Sequence, residues 1–126
     1  MSRPVVVSVV ESMLFPDFEA LYCQQGLEEH RVNSIRKAIN LAKKYQPAFI
    51  VVEFFYAYST NYSGIYKSNI EVLLVSLIKH SPKTKVIVLA NKKEIKHVGV
   101  LDAVDYPLHG VLRLPIAPGQ IETLLD

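Results

Sequence analysis

The sequence predicts an α/β fold: one five-stranded parallel sheet with helices on both faces, in three layers. Three observations carry this. Short, nearly all-apolar runs recur at Val5–Val10, Ala48–Glu53, Lys85–Ala90 and Val111–Leu114, as strands covered on both faces require. Stretches with helical apolar spacing separate them. Gly, Pro and helix-capping residues stand at the junctions.

Val5 to Val10 is β-branched and apolar, a buried first strand. Pro16-Asp17 opens a helix with Asp17 as its cap. Phe18, Leu21 and Tyr22 recur at helical spacing, and Gly26 is the stop. Leu27 to Val32 carries Glu28, Glu29, His30 and Arg31, so it belongs on a sheet edge. Asn33 or Ser34 caps a helix running to Tyr45, with Ile35, Ala38, Ile39 and Ala42 as its apolar stripe. Lys43 and Lys44 lie at its C-terminal end, where cations suit the helix dipole.

Ala48 to Glu53 is the next strand, followed by an aromatic loop from Phe54 to Lys67. Ser68-Asn69-Ile70-Glu71 has the capping-box pattern. The helix it opens should bury Ile70, Leu73, Leu74, Leu77 and Ile78, with Val72 and Val75 widening the core face. Lys85 to Ala90 is the fourth strand. Asn91 caps a weakly patterned helix from Lys92 to about Val104, interrupted by Gly99. Val111 to Leu114 is the fifth strand, and Ala117-Pro118 begins a short last helix. Strands alternating with helices imply right-handed crossovers. Five repeats in 126 residues, with no linker between them, fit a single domain spanning 1–126 with the doubly wound, flavodoxin-like order 2-1-3-4-5.

Half the residues are hydrophobic and the net charge is only +2, with no basic stripe of the kind a nucleic-acid partner needs. Lys92, Lys93, Lys96 and His97 form the richest basic cluster, read as a solvated helix face. Cys23 is the only cysteine, so no intrachain disulfide can form. No apolar run is long enough to span a bilayer, and Met1-Ser2-Arg3-Pro4 leads straight into a strand rather than a signal peptide. A cytoplasmic protein with no membrane contact is expected. His30, His80, His97 and His109 lack metal-ligand spacing, so no metal is expected. Glu11-Ser12-Met13-Leu14-Phe15-Pro16 is too bulky for a phosphate-binding loop, which argues against a nucleotide or flavin, and no cofactor is expected.

Pro47–Glu53, Lys85–Ala90 and Gly110–Pro115 resemble, in order and spacing, the third, fourth and fifth strands of response-regulator receiver domains. That resemblance implies a phosphorylatable Asp, a Thr or Ser, and a Lys followed by Pro at the three strand ends. Here those positions hold Glu53, Ala90 and Leu114, with Pro115 kept. It also implies an acidic pair for Mg²⁺ after the first strand, where this chain offers Glu11 and Ser12. In a doubly wound sheet these strand ends converge at the switch point. Glu53 is a methylene longer than Asp, Ala90 has no hydroxyl and Leu114 has no charge, so phosphoryl chemistry lacks its parts.

The expectation is therefore a degenerate receiver, a pseudo-receiver in bacterial two-component signalling. It would be no enzyme, and would act through a protein partner, a homodimer or both. Tyr56, Tyr58, Tyr62 and Tyr66 of the aromatic loop are candidate contact residues, because Tyr buries area while keeping its hydroxyl satisfied. The resemblance adds Tyr106, near the fifth strand, and the face made by the fourth helix, fifth strand and last helix. The competing expectation is a small-ligand binder or enzyme using Glu11 and Glu53 as an acid–base pair in the strand-end crevice.

Overall fold

Five strands, β1 (Val5–Val9), β2 (Glu28–Val32), β3 (Phe49–Glu53), β4 (Lys85–Ala90) and β5 (Gly110–Arg113), pair in parallel in the order β2-β1-β3-β4-β5. This is the predicted order. The structure, a computed structural model, describes residues 3–13, 15–56 and 68–125. The connections carry α1 (Glu19–Gln24), α2 (Ile35–Tyr45), α3 (Glu71–His80), a 3₁₀ helix (Ile95–Ala103) and α4 (Pro118–Glu122).

Strand alternation divides the core into two clusters. Val7, Val9, Ile50, Val52, Val86 and Val88 pack with Ala38 and Ala42 of α2, Leu73, Leu74 and Leu77 of α3, and Leu101 of the 3₁₀ helix. Val6, Val51, Ile87 and Leu89 pack on the other face with Phe18, Leu21 and Tyr22, and with Leu114, Ile121 and Leu125. β1 and β3 are buried throughout, while β2 is the partly exposed, charged edge.

Local chemistry sets most boundaries. Phe18 rather than Asp17 is the N-cap of α1, although Asp17 Oδ1 accepts from the Glu19 amide at 3.0 Å, and Gly26 takes φ +73° just beyond the helix. Ser34 Oγ accepts from the Lys37 amide at 3.2 Å, and Gln46 ends α2 in the left-handed region with φ 47°. At α3, Glu71 reaches back to the Ser68 amide at 2.6 Å, the Glu half of the expected capping box. Ser68 Oγ accepts from the Ile70 amide at 3.1 Å.

Two expectations change. The segment after β4 is 3₁₀ rather than α-helical, and Glu94 rather than Asn91 is its N-cap: Asn91 instead holds the turn that precedes it, its Oδ1 accepting from the Lys93 and Glu94 amides at 2.9 Å each. Val98, Gly99 and Val100 are weak helix formers in succession. On α3, Ile70, Leu73, Leu74 and Leu77 are fully buried as predicted, but Val72, Val75 and Ile78 are exposed. The sheet covers one side of α3, and the wider core face expected from Val72 and Val75 does not form. No helix among the described residues is long and apolar enough to cross a membrane.

Candidate functional site

The strand ends meet at the carboxyl edge of the sheet. Glu53 closes β3 opposite Leu89, and β4 runs one residue further to Ala90. Ala90 pairs with Arg113, and the Leu114 amide donates to the Ala90 carbonyl at 2.8 Å. The Leu114–Pro115 peptide is cis. The three strand ends named from the sequence, at Glu53, Ala90 and Leu114, are thus neighbours along the backbone.

Their side chains do not face one spot. Ala90 joins the cluster under α2, α3 and the 3₁₀ helix. Leu114 is buried in the opposite cluster with Phe15, Ile121 and Leu125. Glu53 alternates with Val52 and so turns towards Leu114's side of the sheet. Arg113, at the outer edge, is exposed.

Glu53 is only 1% exposed. Ser12 Oγ donates to its Oε1 at 2.6 Å, and its Oε2 is buried with no hydrogen-bond partner. Burial raises the Glu53 pKa above the usual carboxylate range, the Ser12 hydrogen bond opposes this, and the nearby Glu11 charge adds to it. The carboxyl is therefore a poor display of permanent negative charge.

Asn69, which the sequence marked only as part of a capping pattern, is the residue that organises the site. It is 2% exposed. Its Nδ2 donates to the Glu53 carbonyl at 2.8 Å and to Glu11 Oε1 at 3.3 Å. Its Oδ1 accepts from the Phe55 amide at 2.8 Å. One amide group thus ties the start of α3 to the ends of β1 and β3. The only sequence signal was an Asn beside a helix start.

Phe54 is fully buried, an inward-packed member of the aromatic run. Tyr56 bridges Ser68 and receives Glu94: its amide donates to Glu94 Oε2 at 3.2 Å. Its ring stacks on His97 with centroids 4.0 Å apart and planes 12° from parallel. Tyr58, Tyr62 and Tyr66 lie outside the described residues. Tyr106 corrects the expectation of a surface residue. It is 8% exposed, precedes the N-terminal end of β5, and donates its hydroxyl to the Thr84 and Ser81 carbonyls. It anchors the far edge of the sheet, because a buried tyrosine must satisfy its hydroxyl where carbonyls are available.

Mg²⁺ keeps several waters and needs accessible oxygens in near-octahedral array. The residues present do not fit it. The Asn69 amide aims a donor at Glu11, Ser12 donates to one Glu53 oxygen, and the other is sealed from water. Among the described residues no group of three or more His, Cys, Asp or Glu could hold a metal ion.

No family model matches the chain, and no curated protein is similar to it in sequence. Solved structures are similar in fold. A LuxR-family DNA-binding response regulator from Staphylococcus aureus superposes with a TM-score of 0.70 at 13% identity, over 97% of this chain and 95% of that one. A response-regulator receiver domain protein from Clostridium thermocellum gives 0.70 at 13% identity, over 98% and 90%. A response regulator from Burkholderia multivorans gives 0.68 at 16% identity, over 98% and 92%. At these identities the likeness is one of architecture, and it agrees with the strand order and spacing seen here: the chain has the fold of response-regulator receiver domains.

Proposed function

We propose that this chain is a single 1–126 receiver-like domain that serves signal transduction without being phosphorylated, acting by contact with a protein partner or a second copy. The observation that carries the reading is the state of Glu53. The carboxyl at the acceptor position is 1% exposed and already bonded to Ser12. An attacking carboxylate must reach a phosphorus atom in line, with donors around the phosphoryl oxygens. Ala90 and Leu114 offer no such donors, and Asn69 spends both ends of its amide on the protein itself. Permanent mimicry of a phosphorylated state is disfavoured for the same reason, since burial favours the neutral carboxyl. The Glu11–Glu53 acid–base alternative is weakened too: the Asn69 amide sits on Glu11, and Glu53's bonded oxygen is held by Ser12.

The receiver fold, a bacterial signalling role, a cytoplasmic setting and the absence of catalysis form one consistent reading. The test is incubation with acetyl phosphate and Mg²⁺ followed by intact-mass measurement. The expected spectrum is that of the unmodified chain. A phosphoryl adduct, mapped to Glu53 or to any neighbour at the strand ends, would overturn the proposal.

A further inference from the structure

Amphipathic logic would put Val72 and Val75 in the core, yet they stand on the outer side of α3. Val72, Val75 and Ile78 are 39%, 44% and 46% exposed. Spaced three apart, they form one inclined ridge, the kind that packs into the groove of another helix. At its lower end Ile78 also lines a groove of about 410 Å³, with Pro82, Lys83, Tyr106, Pro107 and Leu108. The groove has a firm wall, because the Tyr106 hydroxyl is tied to the Ser81 and Thr84 carbonyls.

The charge around this apolar strip has one dominant sign. Lys79 follows Ile78, Lys83 and Lys85 line the groove, and Asp105 is the acidic residue that lines it with them. Lys43 of α2 is close enough to act on His80. Desolvation is the main cause that holds that imidazole below its ordinary range, and the Lys43 and Lys79 charges add to it. Among the described residues, none of Lys43, Lys79 and Lys83 takes part in an ion pair. A second copy docking this ridge on itself by a two-fold axis would set these lysines against their own counterparts. A partner with negative charge beside an apolar stripe suits the strip better.

We propose that the Val72–Val75–Ile78 ridge and the groove below it dock an acidic amphipathic helix of a partner protein, with apolar anchors at i, i+3, i+4 and i+7 and Asp or Glu along their border. This names the partner chemistry for the protein-contact reading above and rests on it.

The test uses the ¹⁵N-labelled chain and a synthetic helical peptide with Leu at the anchor positions and Glu elsewhere. A peptide with Lys in place of Glu and vesicles of phosphatidylglycerol serve as the comparison probes. Expected are saturable shifts at Val72, Val75, Ile78, Lys79 and Lys83, weakened by salt. Val75→Asp and Lys83→Glu, each shown folded by circular dichroism, should each lower the affinity about tenfold, roughly one anchor's worth. No saturable shift, equal binding of the Lys peptide, or binding to vesicles without the Glu peptide would each overturn the proposal. Saturable shifts centred on Tyr56 instead would overturn the α3 surface while leaving a protein-contact role standing. A phosphoryl adduct in the mass experiment would remove the phosphorylation-independent reading without touching the peptide result.

Discussion

Glu53 shows how one side chain changes meaning with its surroundings. As a letter it is a carboxylate at a strand end. In the fold it is a buried acid with one oxygen bonded to Ser12 and the other without a partner. A carboxyl with a raised folded-state pKa costs stability once the unfolded chain can ionise and the folded one resists. The penalty is absent well below its ordinary value of 4.5 and grows as the pH rises through that value towards the raised one. Glu53→Gln keeps an acceptor for Ser12 and removes the charge. It should stabilise the chain by about 1 kcal/mol at pH 7, with the gain shrinking to nothing on acidification below 4.5. Urea unfolding at several pH values reads this. A Gln variant no more stable than wild type at pH 7, or a difference that ignores pH, would contradict the account of the site. The contacts of Ser12 and Asn69 escaped the sequence because their partners are remote: Ser12 and Glu53 stand 41 residues apart.

At the scale of elements, α3 is the instructive case. Its capping pattern and its apolar content were both legible, although the helix starts at Glu71, with Ile70 rather than Ser68 as its N-cap. Its apolar residues nearly surround it, so periodicity alone could not say which of them face the sheet. Packing decided: Leu73, Leu74 and Leu77 are fully buried, and Val75 is 44% exposed. Leu77→Ala should therefore cost about 2–5 kcal/mol, whereas Val75→Ala should stay within about 0.5 kcal/mol. Chemical denaturation of the two variants side by side is the check, and comparable losses would mean that the helix is rotated from the face described. The 3₁₀ helix makes the converse point. Gly99 and its β-branched neighbours weakened the helical pattern, and the chain adopts the tighter, irregular form there.

For the whole molecule, the two faces of the sheet each bury a tyrosine hydroxyl, with different consequences. Tyr106 lies under α3 and the 3₁₀ helix and is bonded to two carbonyls. Tyr22 projects from α1 into the core on the opposite face, and its hydroxyl has no hydrogen bond of good geometry, the neighbouring Ser8 already donating to Glu29 at 2.6 Å. Burial pushes Tyr22 up to about 12 and raises Tyr106 as well. Unfolded tyrosine ionises near 10, so folding loses stability as the pH climbs through that value and up to the raised ones. Tyr106→Phe should cost about 1 kcal/mol at pH 7, and Tyr22→Phe close to nothing, because only the first loses a made hydrogen bond. Both variants should resist alkali better than wild type, relative to their own stability at pH 7. Unfolding curves at neutral and alkaline pH test this, and a Tyr22→Phe variant as damaged as Tyr106→Phe would refute it.

By itself the sequence determined the five strands, their order and the sheet topology. Apolar strand runs, Ser34, Gly26 and Pro118 act on neighbours a few residues away, and alternating strands and helices leave few ways to wind a parallel sheet. It also marked Glu53, Ala90 and Leu114 as adjoining strand ends. Only the tertiary structure decided that Glu53 and Ala90 face opposite layers, that Asn69 and Ser12 close over the site, that Tyr106 is an anchor and that a valine ridge of α3 is left bare. The reason is physical. Backbone conformation answers to local sterics and hydrogen bonds, whereas the burial and partners of a side chain depend on which distant segments pack against it.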